Sequence, residues 1–496
     1  MHDDDGHAGA AYQNAILGCS DSLRLSSVSN VTILDSILSN EAACYTYSGT
    51  AAVILQRVKD VTFVNNMLVH VPETGSPDQT AIDQEFSTEN VTVRNNYIAG
   101  NAGPGLEILN IHGGDPDDRS INTVFEGNLF SQNGKGSVYW LSGGTTPVSP
   151  TGTFSNNLSY EPGQPFFSSN IGISGPFGFA NNVKLRQAGY YAANDFSGTQ
   201  GGNQWKYQYN LNGTWTDLIY DAENNWWSHH AAYPWLQRVK QFSMHPGNCA
   251  SCDVARVWVA PVSGTVSIRG RALKWDTGGG DGVTVRINKV SGGVVTQLWP
   301  ASGAYHIGPA DQTGVDTSID LVQVSAGDEI RFELSSGSNG DESYDETSWS
   351  PAVAYRFIAY DWSFNTNGNT EGWTNGNQVS QAVSGGVNTL TSTGNDPYIY
   401  SAPNLNIDAS AYKTVTIRMK NNSSSNQSQI FFTTNADTTW TPAKSLLQTI
   451  STNDNDYKEY TFDFSANASW TGTIRQLRFD PITASGTVNV NYIRVE

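Results

Sequence analysis

Over the first third of the chain, apolar and polar positions alternate in short runs, and the 3.6-residue spacing of an amphipathic helix never takes over. The runs come with a returning phrase. It reads Val31-Thr-Ile-Leu-Asp-Ser36, Val61-Thr-Phe-Val-Asn-Asn66, Val91-Thr-Val-Arg-Asn-Asn96, Thr123-Val-Phe-Glu-Gly-Asn128, Thr153-Phe-Ser-Asn-Asn157 and Phe177-Gly-Phe-Ala-Asn-Asn182. Their last residues lie 30, 30, 32, 29 and 25 positions apart. Short strands at a near-constant period predict a solenoid over residues 1–195, each coil covering the apolar edge of the one before.

The recurring asparagines have a physical task. Asn66, Asn96, Asn128, Asn157 and Asn182 fall at one turn of successive coils, where each amide can donate to the next and cap backbone groups that the bend leaves unpaired. This internal ladder resembles that of the pectate-lyase-like superfamily, from about residue 12 to residue 190. The resemblance implies a right-handed parallel β-helix. It implies little about activity, because the same coil serves hydrolases, lyases, epimerases and phage tailspikes. Six coils without an amphipathic capping helix suggest that the solenoid extends upstream of Met1.

Matched positions of adjacent coils stack about 4.8 Å apart, so side-chain columns can be read from an alignment. Setting Leu23-Arg-Leu-Ser26 over Val53-Ile-Leu-Gln56, Ile82-Asp-Gln-Glu85, Leu106-Glu-Ile-Leu109 and Val138-Tyr-Trp-Leu141 gives inward columns that are mostly apolar, with Gln84 the intruder. The outward columns carry Arg24, Ile54, Asp83, Glu107 and Tyr139, then Ser26, Gln56, Glu85, Leu109 and Leu141. Asp83, Glu85 and Glu107 are therefore expected to share an external patch and are the candidate catalytic residues. Like charges this close raise at least one pKa, the usual way to set a general acid beside a general base. An i, i+2 pair spans roughly 6.8 Å, compatible with the ~6.5–9.5 Å of inverting glycosidases, whereas a stacked pair sits nearer the ~5–5.5 Å of retaining ones. Arg24 and Tyr139 flank the patch as candidate substrate contacts, and His112 in the next loop is a third. A lyase would need a Lys, Arg or Tyr base and cations for a uronate carboxylate, for which Arg24, Arg57, Lys59 and Tyr139 are available.

That loop, Asn110-Ile-His112-Gly-Gly-Asp115-Pro-Asp117-Asp118-Arg119, is an insertion that could wall a cleft. Asp115, Asp117 and Asp118 are candidate calcium ligands, although their spacing is not that of an EF-hand. No other cofactor is implied. The run His2-Asp-Asp-Asp-Gly-His7 is similar to the clustered aspartates of β-helix glycosidases, but the N-T-D, G-H-G and R-I-K signatures of polygalacturonases are missing, and it reads better as a tail.

Ser, Gly and Asn between Asn194 and Asn203 mark the exit from the solenoid. Residues 204–360 alternate in runs such as 255–260, 283–287 and 329–333, the pattern of a β-sandwich. Asp341, Asp345, Trp349 and Tyr355, near Ala326-Gly-Asp-Glu-Ile330, resemble accessory domains of bacterial polysaccharide-degrading enzymes. Trp205, Trp215, Trp226, Trp227 and Trp235 are equally suited to a sugar platform and to a core. Residues 361–496 open with Phe364-x-Thr-x-Gly-x-x-Glu-Gly-Trp373 and close on Tyr492-Ile-Arg-Val495. These phrases resemble jelly-roll carbohydrate-binding modules of secreted bacterial glycosidases. The resemblance implies sugar contacts, and Tyr398, Arg418, Phe432, Trp440 and Arg478 are the candidates. The fold class is all-β: a right-handed parallel β-helix followed by two β-sandwich domains.

Composition narrows the partners. A net charge of −19 repels nucleic acid and anionic membranes, and residues 1–190 hold 18 Asp and Glu against 8 Lys and Arg, which disfavours a polyanionic sugar. No apolar run reaches the ~20 residues of a membrane span. Cys19 and Cys44 lie about one repeat apart, as a coil-to-coil disulfide requires, and Cys249-Ala-Ser-Cys252 suits a small loop disulfide better than a metal site. The N-terminus shows no signal peptide, so an extracellular location is expected from composition and module type alone. The chain is expected to act as a monomer on a polysaccharide or oligosaccharide. A glycoside hydrolase comes first, with a β-helix lyase or epimerase and a non-catalytic glycan-binding or cell-surface protein as alternatives.

Overall fold

Alternation along residues 21–185 folds the chain into coils of three strands, each strand hydrogen-bonded in parallel to its counterpart in the next coil. This computed structural model describes residues 21–111, 115, 117–143, 149–170, 177–229, 237–249, 251–337 and 340–496. The first sheet runs Asp21–Ser26, Thr50–Gln56, Asp78–Glu85, Leu106–Asn110, Val138–Ser142 and Phe167–Ser169. The second starts Ser29–Leu34, Lys59–Val64, Thr88–Arg94, Thr123–Glu126 and Gly152–Ser155, and the third Ile37–Ser39, Met67–Val69, Tyr97–Ala99 and Leu129–Ser131. Leu25, Val53, Leu55, Phe63, Ile82, Val93, Ile108, Phe125 and Trp140 fill the interior. A short strand cannot bury both faces alone, so stacking supplies the hydrophobic gain.

The asparagine ladder is continuous. Asn66 Nδ2 donates to Asn96 Oδ1 at 3.0 Å, Asn96 to Asn128 at 3.1 Å, Asn128 to Asn157 at 2.9 Å and Asn157 to Asn182 at 2.9 Å. Each amide also reaches back to a carbonyl of the preceding coil, such as Phe63 O from Asn96 and Val93 O from Asn128. The residue before each rung has positive φ, 51° at Asp35, 55° at Asn65, 51° at Asn95, 66° at Gly127 and 57° at Asn156, which is why that position holds only Asp, Asn or Gly. A second ladder at the turn from third to first sheet was not legible in the repeat. Asn101 Nδ2 donates to Asn133 Oδ1 at 2.8 Å, and Asn133 Nδ2 to Glu161 Oε1 at 2.7 Å.

The chain passes from solenoid to antiparallel sheet at Tyr190–Tyr191, which pairs with Ala352–Arg356. Three sheets follow, around Trp205, Trp258, Phe332 and Trp349. The left-handed turn residues of the solenoid meet this domain. Asn65 Nδ2 donates to Ser348 Oγ at 2.7 Å, Ser348 Oγ to Asp35 Oδ1 at 2.5 Å, Tyr191 Oη to Asn95 O at 3.1 Å and Arg269 Nε to Asn156 O at 2.6 Å. Solenoid and first sandwich accordingly form one compact unit, residues 1–178 with 182–356.

Residues 179–181 and 357–496 form a second unit. Its two antiparallel sheets, one centred on Gly486–Val495 and one on Thr473–Asp480, enclose Trp362, Trp373, Phe432, Phe464, Trp470 and Phe479. The protein is thus nearly all β, a β-solenoid followed by antiparallel β-sheet domains. Cys249 and Cys252 form a disulfide, and Cys44 is disulfide-bonded, while Cys19 lies outside the described residues. Among the described residues no helix is long and apolar enough to cross a membrane.

Candidate functional site

The first sheet delivers the acids in the register that the column alignment requires. Arg24 pairs with Ile54, Ile54 with Asp83, Asp83 with Glu107 and Glu107 with Tyr139, while Gln56 pairs with Glu85 and Glu85 with Leu109. Gln84, on the opposite face, accepts from Thr88 and Thr123 inside the solenoid. Burial differs from the expected external patch. Asp83 and Glu107 are 1% and 3% exposed, Ile54 beside them is covered as well, and Glu85 is the half-buried member. Strand alternation fixes the side to which a column points, but not how deeply its neighbours bury it.

Two further charged residues join the cluster. Asp78 and Gln79 both take positive φ, 67° and 57°, and the pairing slips there so that Thr50 opposes Asp78 while Ala51 opposes Thr80. This bulge re-aims the Asp78 carboxyl. Gly49 accommodates it, since a Cβ at that position would lie 1.7 Å from Asp78 Oδ2. Lys135, in the loop before Val138–Ser142, supplies the one opposing charge felt by both Asp78 and Glu107.

The electrostatics follow from crowding acids where water is scarce. Burial first, then the charge of Asp78, pushes Glu107 up to about 8. Burial first, then Glu85, pushes Asp78 up to about 6, with Lys135 opposing. Asp83 is driven well above the usual carboxylate range by burial, then by Glu85, Glu107 and Asp78. The contact between Asp78 and Glu107 lowers the first and raises the second, so Glu107 holds the proton and Asp78 accepts it. Asp83 Oδ1 and Glu107 Oε2 are buried with no donor in reach among the described residues.

The candidate substrate contacts on this sheet have mixed fates. Arg24 is held by Asp21 at 3.3 Å and donates to Gln56 Oε1 at 2.9 Å; Gln56 in turn donates to Glu85. Tyr139 is half-buried beside Glu107, and His112 lies outside the described residues. The run 2–7 lies outside them as well. Of the loop aspartates, Asp115 accepts from the Asp117 amide at 2.9 Å, Asp117 lines a pocket with Arg57, Lys59, Ser87 and Glu89, and Asp118 is buried against Asn110. Among the described residues no three His, Cys, Asp or Glu side chains converge as a metal site.

In the second unit, Tyr398, Trp440 and Arg478 come together on one sheet face. The Arg478 guanidinium lies 3.7 Å over the Tyr398 ring and 4.8 Å over that of Phe431, and is gripped by Asp480 through Nε at 2.7 Å and Nη2 at 2.6 Å. Tyr400 bridges Tyr398 and Trp440, with ring centroids 5.2 Å and 5.4 Å away. Phe431 and Tyr400 were invisible as partners until the register placed both across from Arg478. Arg418 belongs to the other sheet, where it donates to Asn491 and lies 5.0 Å over Tyr457. Phe432 is no sugar contact: alternation turns it into the core against Phe464 and Trp470. Trp205 and Trp227 are likewise core residues, Trp215 and Trp226 are half-exposed, and Trp235 lies outside the described residues.

No family model and no curated protein matches the chain. Solved structures that match include the tandem CBM22 modules of Paenibacillus barcinonensis Xyn10C, at 11% identity and TM-score 0.20, over 51% of this chain and 86% of that one. A low-affinity xylan-binding module, CBM86 of Roseburia intestinalis, matches at 18% identity and TM-score 0.18, over 25% of this chain and 92% of that one. A Paenibacillus xanthan lyase matches at 10% identity and TM-score 0.23, over 51% of this chain and 23% of that one.

Proposed function

We infer that this is an extracellular polysaccharide hydrolase, with its chemistry on the first sheet of the solenoid and a glycan-holding face on its second unit. The observation that carries the reading is the in-register stacking of Glu107 on Asp83, with Glu85 two residues along the same strand. Glu107, protonated at neutral pH, donates to the glycosidic oxygen, and Glu85, the half-buried member, activates water. Burial first, then like-charge repulsion from Asp78 and Glu85, keeps the proton on Glu107. The aromatic row of Tyr398, Tyr400 and Trp440 offers apolar faces to sugar rings, and Arg478, fixed by Asp480, offers directed donors.

Reducing ends should be released from a neutral polysaccharide without the absorbance of an unsaturated product. Glu85→Gln and Glu107→Gln should each lower that rate by roughly 10²–10⁴, the range of general acid–base contributions. Unsaturated product would replace the hydrolase with a lyase.

A second reading rests on the burial of Asp83 and Glu107, which fits a structural cluster inside a glycan-binding protein that does no chemistry. Retention in polysaccharide-containing gels with no reducing ends from any substrate would select it.

A further inference from the structure

The loop before the Thr50–Gln56 strand carries two tyrosines that serve no core. Tyr45 is 54% and Tyr47 90% exposed, and their rings meet edge to face with centroids 5.3 Å apart at 75°. Burying a tyrosine gains its apolar area, so a fully presented one within a braced turn is stability forgone.

The turn is braced. Thr46 Oγ1 donates to Gly49 O at 2.6 Å, the Thr46 amide to Ser76 Oγ at 2.9 Å, and Ser76 Oγ to Cys44 O at 3.4 Å. Thr74 ties the neighbouring loop down through Ser76 Oγ at 2.8 Å and, by its amide, Gln79 Oε1 at 2.6 Å. Position matters as much as exposure. Gly49, which closes the Tyr47 turn, is the residue packed on the Asp78 carboxylate, and the Thr50 amide donates to Pro77 O at 3.2 Å. The tyrosine turn and the acid cluster thus share a wall.

We propose that Tyr45 and Tyr47 form a sugar-stacking subsite for an uncharged glycan, along the solenoid from the carboxylates. The edge-to-face contact fixes the two rings in a bent platform while leaving Tyr47 open, and tyrosine offers such area with little rotamer entropy to lose. A glycan rich in carboxylates would be repelled by the net negative charge of the solenoid, whose residues 1–190 hold 18 Asp and Glu against 8 Lys and Arg, whereas a neutral one is not. The subsite rests on the polysaccharide reading above but not on catalysis.

The test is affinity electrophoresis of the full chain in gels containing xylan, galactomannan or β-glucan. It is run in a Tyr400→Ala/Trp440→Ala background, so that retention reports on the solenoid. Adding Tyr45→Ala/Tyr47→Ala should weaken retention by about 5-fold or more, in line with the loss of aromatic stacking, while Tyr47→Phe should stay within about 2-fold. Both variants should melt with the parent. Retention unchanged by the double substitution, or no retention of the background on any of the three glycans, overturns the subsite. Tyrosine-dependent retention without reducing-end release keeps the subsite and removes the hydrolase; release that ignores both tyrosines does the reverse.

Discussion

At the scale of the residue, Asp78, Asp83 and Glu107 are carboxyls whose neutral forms the fold favours. Glu107 makes the point testable through stability. Its folded pKa, about 8, lies above the value of an unfolded glutamate. The native state therefore binds the proton more tightly, and the stability this supplies is present below about 4.5 and lost as pH rises through 8. Gln at this position mimics the protonated acid without the ability to ionise. Glu107→Gln should consequently melt close to the parent at pH 4 and several degrees above it at pH 9, read by calorimetry, even as it removes activity. A Tm gap that shrinks with rising pH would mean that Glu107 is ionised in the folded protein. The alignment of columns found Asp83, Glu85 and Glu107, because strand alternation fixes register and side. It could not find Asp78, whose side chain is re-aimed by a two-residue bulge that breaks the alternation, or Lys135, which sits in a loop of irregular length.

At the scale of the element, a coil holds its turn by amides that are each satisfied on several sides. Asn96 accepts from the Asn66 amide and side chain and donates to Phe63 O, Arg94 O and Asn128 Oδ1. Asn96→Ala leaves buried partners unmade on both sides, which should cost about 2–4 kcal/mol in a urea titration, with little change in m. A cost below about 0.5 kcal/mol would show that neighbouring coils repack without the ladder. This ladder was legible because one residue type recurs at a near-constant period. Its companion was not: the rungs change from Asn101 and Asn133 to Glu161 and are spaced 32 and 28 residues apart. In the second unit, alternation separates Phe431 from Phe432 by face, and only the sheet register says which of the two looks outward.

At the scale of the molecule, the chain divides into two compact units, between which the proposed function would divide its catalytic and glycan-holding parts. The first joins a solenoid bearing the acids to a sandwich docked on its left-handed turns, through Asp35, Asn65, Asn95 and Asn156. The second presents the aromatic row around Arg478. Architecture was readable from sequence because repeats, turns and alternation are local signals. The burial of Asp83 and Glu107 was not, because alternation fixes the side of a sheet on which a residue lies and not its depth. The claim on which the rest depends is that a buried, protonated Glu107 is the proton donor of a glycosidase. The pH dependence of kcat/KM on a neutral polysaccharide tests it most directly. Activity should fall along a limb near pH 8 that disappears in Glu107→Gln, whose residual rate is flat on that side. A rate that stays level through pH 9, or a limb at 8 that survives the substitution, contradicts the assignment.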